Sequence, residues 1–126
     1  MNKNQIIISE FNDYINKGDL EGLASFMTDD HIFIDTGNNV VNGKEKALDA
    51  WKVFFEYFPD YRNHFDSFFE FGDRISVLGY STCSDKRLEG AGIWRIKIID
   101  NKISEWRVLE DTRENRLSLQ LPKANS

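Results

Sequence analysis

The residue with the clearest chemical potential in this chain is an aspartate that directly follows an apolar run. Residues 31–35 predict a strand that ends in the carboxylate of Asp35. A carboxylate in apolar surroundings has a raised pKa and can accept a proton near neutral pH. It can equally accept hydrogen bonds from the turn that follows, here at Gly37 and Asn38. The sequence leaves both interpretations of Asp35 open, a general base or a turn residue.

Two histidines and one cysteine are the other residues that could take part in chemistry. His64 lies in a predicted strand and could polarise a carbonyl group if it points inward, although a lone histidine is more often a structural residue. We expect His31, beside two aspartates, to be exposed, and Cys83 to be buried and inert. The spacing of these residues predicts no metal site, and no phosphate-binding loop is present, so we expect no metal and no cofactor.

The composition predicts one small domain with an aromatic core. The chain has 126 residues, of which 40% are hydrophobic, and contains ten Phe, four Tyr and three Trp. A net charge of −5 argues against a nucleic-acid partner, because such proteins carry clustered Lys and Arg. No apolar run is long enough for a membrane helix, and none resembles a signal peptide. With a single cysteine, these features predict a cytoplasmic protein without an internal disulfide.

Three helices are predicted in the first half of the chain. Apolar residues recur at helical spacing up to Ile15, and Gly18 is typical of the position just past a helix C-terminus. Asp19 can cap a second, short helix. A third helix is expected over 44–58 and is ended by Pro59. Its wide apolar face consists of Ala47, Leu48, Trp51, Phe54, Phe55 and Phe58.

The second half of the chain alternates between strand and turn signals. Four strands are predicted, over 61–71, 75–84, 88–99 and 103–110. The three hairpins that join them imply an antiparallel meander. The tail, 112–126, is polar except for three leucines, and we expect it to pack late or at a dimer contact.

Helices followed by a meander indicate an α+β domain spanning 1–126, with its core at about 4–111. We expect three N-terminal helices packed on a curved antiparallel sheet that forms a cone-shaped barrel. Strand alternation places Trp94 and Ile96 on one face and Arg95 and Lys97 on the other. The aromatic residues expected to line the conical space and bind a ligand are Phe11, Trp51, Phe55, Trp94 and Trp106.

Three segments of the chain carry a family resemblance. They are 18–35, with the pattern Gly-Asp-Leu-Glu-Gly-Leu, then Asp-Asp and a strand ending in Asp; 59–62, Pro-Asp-Tyr-Arg; and 101–106, Asn-Lys-Ile-Ser-Glu-Trp. Over about residues 6–110 the chain resembles the nuclear transport factor 2-like superfamily, and within it the ketosteroid isomerases and SnoaL-like polyketide cyclases. The resemblance implies a cystatin-like fold, whereas the chemistry on that fold varies widely.

The resemblance to ketosteroid isomerases implies a catalytic site only in part. Asp35 falls where those enzymes keep their general-base aspartate, although Thr36 replaces the usual proline. The position of their oxyanion-donating tyrosine is Phe11, and that of their second donor, a protonated aspartate, falls at Ala91 or Gly92. Because the loss of one such donor costs about 10²–10³ in rate, we do not expect steroid isomerisation.

The resemblance to SnoaL-like cyclases points to a second acidic residue. Those enzymes use an aspartate on the last strand, four residues after a tryptophan, as acid and base. Counted from Trp106, that position is Glu110, which is one methylene longer. The alternative interpretation, without a catalytic role, is that Glu110 is a solvated charge at the end of a strand, paired with a nearby arginine.

Together, the residues and the resemblance predict a protein that binds a small, largely apolar, carbonyl-containing molecule in the conical space. Its chemistry would be cofactor-independent proton transfer of the isomerase or cyclase type. In that scheme Asp35 removes a proton next to the carbonyl, and His64 or Glu110 supplies the acid. We also expect a homodimer formed through the exposed face of the sheet.

Two alternatives stay open. The chain can be a non-catalytic ligand-binding or dimerisation module that kept the fold and lost the oxyanion donors. It can also be an epoxide hydrolase, which would need an Asp-Arg-Asp set that activates water, here Asp35, Arg95 and Asp111. Strand alternation places Arg95 on the outer face, so we rank this interpretation last.

Overall fold

The first two helices begin and end where the sequence predicts. The computed structural model describes residues 1–123, and in it α1 (Lys3–Lys17) and α2 (Leu20–Phe26) form a helical hairpin. Gly18 ends α1 in the left-handed conformation, with φ of 66°, which glycine adopts without the strain that a Cβ atom causes. The Asp19 side chain caps α2 by accepting a hydrogen bond from the Gly22 amide at 3.0 Å. Both predicted helix boundaries are confirmed.

The remaining elements are six strands, one longer helix and two short helical segments. Helix α3 packs on the sheet near β1 and β2, and a single 3₁₀ turn (Lys86–Leu88) precedes β5. In chain order they are β1 (Met27–Ile34), β2 (Val40–Asn42), α3 (Lys44–Tyr57), β3 (Arg62–Phe71), β4 (Arg74–Thr82), β5 (Gly90–Ile99), β6 (Lys102–Glu110) and α4 (Arg113–Ser118).

The strands form one mixed sheet in the order β2-β1-β6-β5-β4-β3. The predicted antiparallel meander is confirmed for β3 to β6. The expectation of a purely antiparallel sheet is wrong at one place, because β1 and β6 pair in parallel. A hairpin dictates antiparallel pairing only for strands that it joins, and β1 and β6 are separated by most of the chain. The α+β class is confirmed, whereas the sheet is open, with β2 and β3 as its edges, and does not close into a barrel.

The main core lies between the helices and the inner face of the sheet. Alternating residues of β4, β5 and β6 point to this face and meet the apolar stripe of α1, as the strand pattern predicts. Their burial is the main favourable contribution to folding. Its fully buried members include Ile8, Phe11, Ile15, Leu23, Met27, Ile75, Val77, Ile96, Ile103 and Trp106.

A second, smaller core forms on the outer face of the sheet. Leu119 and Leu121, which follow α4, pack against Ile93 of β5. Arg116 holds this segment in place through two bonds to the Asp111 carboxylate, at 2.6 and 2.7 Å. The tail was expected to pack late or at a dimer contact, but in the described chain it covers part of its own sheet. The homodimer through this face stays a prediction.

Within residues 1–123, every helix is too short or too polar to cross a membrane. The cytoplasmic location stays a prediction from the sequence.

Candidate ligand-binding cavity

A cavity of about 330 Å³ lies between α3 and the inner face of the sheet. Its volume falls at the lower end of the range typical of small-molecule sites. The lining is mostly apolar and aromatic, with a few polar side chains. The lining residues are Phe33, Asp35, Thr36, Val41, Ala50, Trp51, Phe54, Tyr61, Asn63, Leu88, Trp94, Trp106 and Val108.

All three tryptophans of the chain line this cavity. Trp94 and Trp106 come from neighbouring strands, β5 and β6, and are almost completely buried. Trp51 comes from α3 on the opposite wall, where its ring meets Phe33 edge-on at 5.5 Å. The strands and the helix therefore place three large rings around one space, as strand alternation and helical periodicity predict.

The other two aromatic residues expected at the cavity do not line it. Phe11 is fully buried and packs beneath Trp106, with their ring centroids 4.7 Å apart. Phe55 stacks on Trp51 at 5.5 Å, on the side towards Gly18. Phe54 lies against the cavity, and Phe55 follows it by one residue, which rotates its side chain by about 100° around the helix axis and away from the lining. The prediction that Phe11 and Phe55 line the same space as the tryptophans is wrong.

Several lining residues carry buried N–H groups that have no hydrogen-bond partner within residues 1–123. These groups are donors, and none of the buried unpartnered polar atoms on the lining residues of the described chain is an acceptor. Buried polar groups in proteins are almost always satisfied, so such a concentration of unpaired donors is unusual. The unpartnered donors are Trp51 Nε1, Asn63 Nδ2, Trp94 Nε1 and Trp106 Nε1.

One wall of the cavity carries a short chain of polar side chains. Ser81 Oγ donates to Asn63 Oδ1 at 2.8 Å, and Ser81 Oγ lies 3.1 Å from the Tyr61 hydroxyl. Burial raises the pKa of the Tyr61 hydroxyl, which stays protonated at neutral pH. None of these three residues was predicted from the sequence as a site residue. Asparagine is depleted in strands, so Asn63 among the inward residues of β3 is a signal that could have found them.

Asp35 lies at the cavity, but its carboxylate is bonded to its own turn. Its Oδ1 accepts from the amides of Gly37 and Asn39, both at 2.9 Å, and its Oδ2 accepts from the Asn39 side chain at 3.0 Å. Partial burial acts to raise the pKa of Asp35, but the bonds from Asn39 and Gly37 outweigh it and hold the pKa below its ordinary value. The expectation of a desolvated carboxylate with a raised pKa is wrong.

His64 lies on the outer face of the sheet, away from the cavity. Its ring is exposed and stacks on Tyr80 of β4, with centroids 4.6 Å apart. Alternation along β3 directs Asn63 and Phe65 inward, so the residue between them must point outward. His64 therefore cannot polarise a carbonyl group in the cavity, and that expectation is wrong.

Glu110 ends β6 in an exposed position opposite Gly92. Trp106 and Val108 of the same strand line the cavity, whereas Glu110 does not. The backbone oxygen of Glu110 accepts hydrogen bonds from Asn115 Nδ2 at 2.8 Å and from the Thr112 amide at 3.0 Å. The structure does not bring Glu110 together with Asp35 at the cavity.

His31 is completely buried, so the expectation that it is exposed is wrong. Its Nδ1 lies 2.7 Å from the backbone oxygen of Ile103, which ties β1 to β6 at the parallel pair. Burial lowers the pKa of His31, although its bond to Ile103 and the nearby charges of Asp30 and Glu105 act in the opposite direction. Because its neighbours are core residues such as Phe11, 6.2 Å away, the neutral imidazole is the favoured form.

The remaining chemical candidates do not form a site. Within the described chain, no group of three or more His, Cys, Asp or Glu is placed to hold a metal ion. Cys83 is partly exposed, so the expectation that it is buried is wrong, but desolvation still raises its pKa, which favours the unreactive thiol. The epoxide hydrolase set is not assembled either, since Arg95 lies on the outer face and Asp111 is paired with Arg116.

Comparison with solved structures shows which fold this is. The chain is similar to a protein described as a SnoaL-like polyketide cyclase from Shewanella putrefaciens CN-32, with 18% identity, coverage of 95% of this chain and 88% of that chain, and a TM-score of 0.76. It is similar to a protein described as a polyketide cyclase from Sinorhizobium meliloti. The two share 15% identity over 86% of this chain and 99% of that chain, with a TM-score of 0.75. It is also similar to TerC, which was co-crystallised with polyporic acid. Here the identity is 18% over 94% of this chain and 99% of that chain, and the TM-score is 0.73.

At these identities the structural likeness shows the fold alone. None of the curated proteins matches this chain. The family of SnoaL-like domains matches residues 8–106, from the middle of α1 to the middle of β6. That match spans most of the chain, and this protein therefore belongs to the SnoaL-like domain family.

Proposed function

We propose that this protein binds a small, largely apolar molecule that carries a carbonyl group, and that it does so in the cavity beneath α3. The observation that carries the proposal is the lining, where aromatic side chains surround unpartnered N–H donors. Apolar walls favour burial of hydrocarbon rings. A carbonyl oxygen is the acceptor that such donors lack.

The electrostatics of the cavity support binding more strongly than catalysis. Asp35 is the one titratable carboxylate on the described lining, and three hydrogen bonds hold its pKa low. A general base that works near neutral pH has a pKa close to that pH. We therefore favour the non-catalytic ligand-binding alternative.

The relatives by fold support a ligand of this class. Two are described as polyketide cyclases, and TerC was crystallised with polyporic acid. The same architecture in this chain encloses a cavity of about 330 Å³. A molecule of two fused rings is a suitable first probe for a space of this size.

The proposal is tested by titrating the protein with 1-tetralone, a fused-ring ketone, and following proton–nitrogen correlation spectra. All three indole N–H signals belong to cavity residues, so they report on this site and on no other tryptophan. We expect saturable shifts of these signals. Absence of any shift up to the solubility limit of the ketone would contradict the proposal.

A matched pair of variants separates binding in the cavity from binding to the surface. Val108→Phe adds a ring to the cavity wall, whereas Val53→Phe makes the same change on α3 at a valine that is 51% exposed. We expect Val108→Phe to weaken the binding of 1-tetralone and Val53→Phe to leave it unchanged. Equal affinities for the two variants would place the binding site elsewhere.

Proton transfer with Asp35 as base is the second candidate function. It is favoured by one observation, the position of Asp35 on the cavity lining. It predicts that the protein accelerates deuterium exchange at the carbon next to the carbonyl of 1-tetralone, and that Asp35→Asn abolishes the acceleration. We expect no acceleration. An exchange rate that depends on Asp35 would favour the catalytic function over simple binding.

A further inference from the structure

We propose that Asn63 is the residue that binds the oxygen of the ligand, and that Asn12 and Asn16 are positioning residues for it. This inference rests on the proposed function. Asn63 lines the cavity and is only 2% exposed, and its Nδ2 has no partner within hydrogen-bonding distance among residues 1–123. The Asn63 side chain nevertheless lies close enough to the Tyr61 hydroxyl to offset part of the rise that burial causes in the pKa of that hydroxyl. A buried amide left unpaired is destabilising, and a ligand oxygen would satisfy it.

The main chain of Asn63 is held from outside the sheet. Asn63 lies on β3, an edge strand whose outward backbone groups have no neighbouring strand. Its amide donates to Asn16 Oδ1 at 2.8 Å, and its carbonyl accepts from Asn12 Nδ2 at 3.1 Å and from Asn16 Nδ2 at 3.0 Å. Asn12 and Asn16 are one turn apart on α1 and so face the same way. Three hydrogen bonds between Asn63 and one helix thus fix the backbone that carries this side chain.

The side chain of Asn63 is oriented by the polar chain on the cavity wall. Ser81 has one hydroxyl proton, which it donates to Asn63 Oδ1 at 2.8 Å. The Tyr61 hydroxyl must therefore be the donor in its 3.1 Å contact with Ser81 Oγ. Because Oδ1 is occupied in this way, the free end of the amide is the N–H₂ group. The free end can bind only a hydrogen-bond acceptor.

The amide of Asn63 is a better candidate than the indole groups. The face of an aromatic ring can partly satisfy an indole N–H. Trp51 forms T-shaped contacts with the rings of Phe33 at 5.5 Å and Phe54 at 5.7 Å. The ring of Phe65 lies 4.9 Å from Trp94 and 6.1 Å from Trp106. Asn63 is instead surrounded by polar partners that already occupy its other groups. The geometry therefore singles out its Nδ2 as the site for a ligand oxygen.

The test compares 1-tetralone with tetralin, which has the same two rings and lacks the oxygen. Dissociation constants are measured for both compounds with the wild-type protein and with Asn63→Leu. A single hydrogen bond to a neutral ligand changes affinity by about fivefold. We expect Asn63→Leu to raise the ratio of the 1-tetralone constant to the tetralin constant by that factor. Val53→Phe serves as the control and should leave the ratio unchanged.

The outcomes distinguish this inference from the proposed function. If both compounds bind the wild-type protein and Asn63→Leu changes the two constants by the same factor, the role of Asn63 is wrong and the proposed function stands. If neither compound binds the wild-type protein, the proposed function fails and this inference fails with it.

A measurement on the wild-type protein covers the case in which Asn63→Leu does not fold. The side-chain amide signal of Asn63 should move to a lower field with 1-tetralone and much less with tetralin. Equal shifts with both compounds would overturn the inference. Asn16→Ala tests the positioning role, because loosening the backbone of Asn63 should raise the same ratio of constants. An unchanged ratio in a folded Asn16→Ala protein would show that Asn16 only covers the edge strand.

Discussion

Two polar side chains at the same cavity, Asp35 and Asn63, are in opposite states. The carboxylate of Asp35 accepts three hydrogen bonds from its own turn. The side-chain amide of Asn63 accepts one hydrogen bond, from Ser81, and its Nδ2 is left without a partner in the described chain. The charged group that attracts attention in the sequence is satisfied locally, whereas the neutral one retains a free donor. At this cavity, the amide with an unsatisfied hydrogen bond is therefore a better candidate for binding a ligand than the carboxylate whose hydrogen bonds are already formed.

The two side chains have almost the same shape, so exchanging their chemistry tests the comparison directly. Asn63→Asp places a carboxylate where the native side chain is 2% exposed, whereas Asp35→Asn removes a carboxylate from a turn. The first variant turns an amide into a carboxylate, and the second turns a carboxylate into an amide. We expect very different losses of stability.

The largest effect is expected for Asn63→Asp. Burying an unpaired charge should lower the free energy of unfolding by about 3 kcal/mol or more at neutral pH. Burial raises the pKa of the introduced carboxyl. The loss of stability relative to wild type is therefore complete above that pKa and becomes smaller as the pH falls through it. Denaturant unfolding of both proteins at several pH values measures this difference. A loss below about 1 kcal/mol at neutral pH would show that the site is open to solvent.

A second effect should come from His31, which is completely buried and whose Nε2 has no hydrogen-bond partner within residues 1–123. Its pKa is lowered by burial from the ordinary 6.5, so below that pH the unfolded chain binds a proton that the folded protein does not. The free energy of unfolding should therefore fall as the pH drops below about 6.5, by at most about 1.4 kcal/mol per pH unit.

The variant His31→Asn isolates this contribution. An asparagine amide can donate to the backbone oxygen of Ile103, as the imidazole does at 2.7 Å, and it does not titrate. We expect the variant to show a flatter dependence of stability on pH between neutral and mildly acidic conditions. An identical pH profile for the two proteins would mean that His31 is protonated as easily when folded as when unfolded.

The smallest effect is expected for Asp35→Asn. An asparagine oxygen can still accept from the Gly37 and Asn39 amides, so only the bond to the Asn39 side chain is lost. We expect a loss of less than about 1 kcal/mol at neutral pH. The lowered pKa of Asp35 stabilises the wild-type protein above the ordinary carboxyl pKa, and this contribution fades as the pH falls, so the gap should narrow in acid. A large loss would indicate a structural role that the turn geometry does not explain.

Local patterns predicted the parts of the fold that local interactions determine. The end of α1 at Gly18 and the cap of α2 at Asp19 depend on residues a few positions apart, and both are found as expected. The parallel pairing of β1 with β6 depends on residues that are distant in sequence, and no local pattern specifies it. The same limit applies to His31, whose burial results from the contact between these two strands.

The candidate site was predicted in outline and missed in detail. Periodicity on α3, β5 and β6 located the three tryptophans around one space. It did not show that the turn after Asp35 satisfies the carboxylate, because that depends on the loop conformation. It also missed Asn63, whose backbone is held by α1, far earlier in the chain, and whose side chain is held by Ser81 on the neighbouring strand β4.

A crystal structure of the protein with 1-tetralone tests the central claim most directly, because it compares Asn63 and Asp35 in one measurement. We expect the ketone among the three tryptophans, with its oxygen within about 3.2 Å of Asn63 Nδ2 and the turn of Asp35 unchanged. A ketone outside the cavity would contradict the account. So would a ketone whose oxygen lies away from Asn63, with the Asp35 carboxylate released from its turn and placed against the carbon next to the carbonyl.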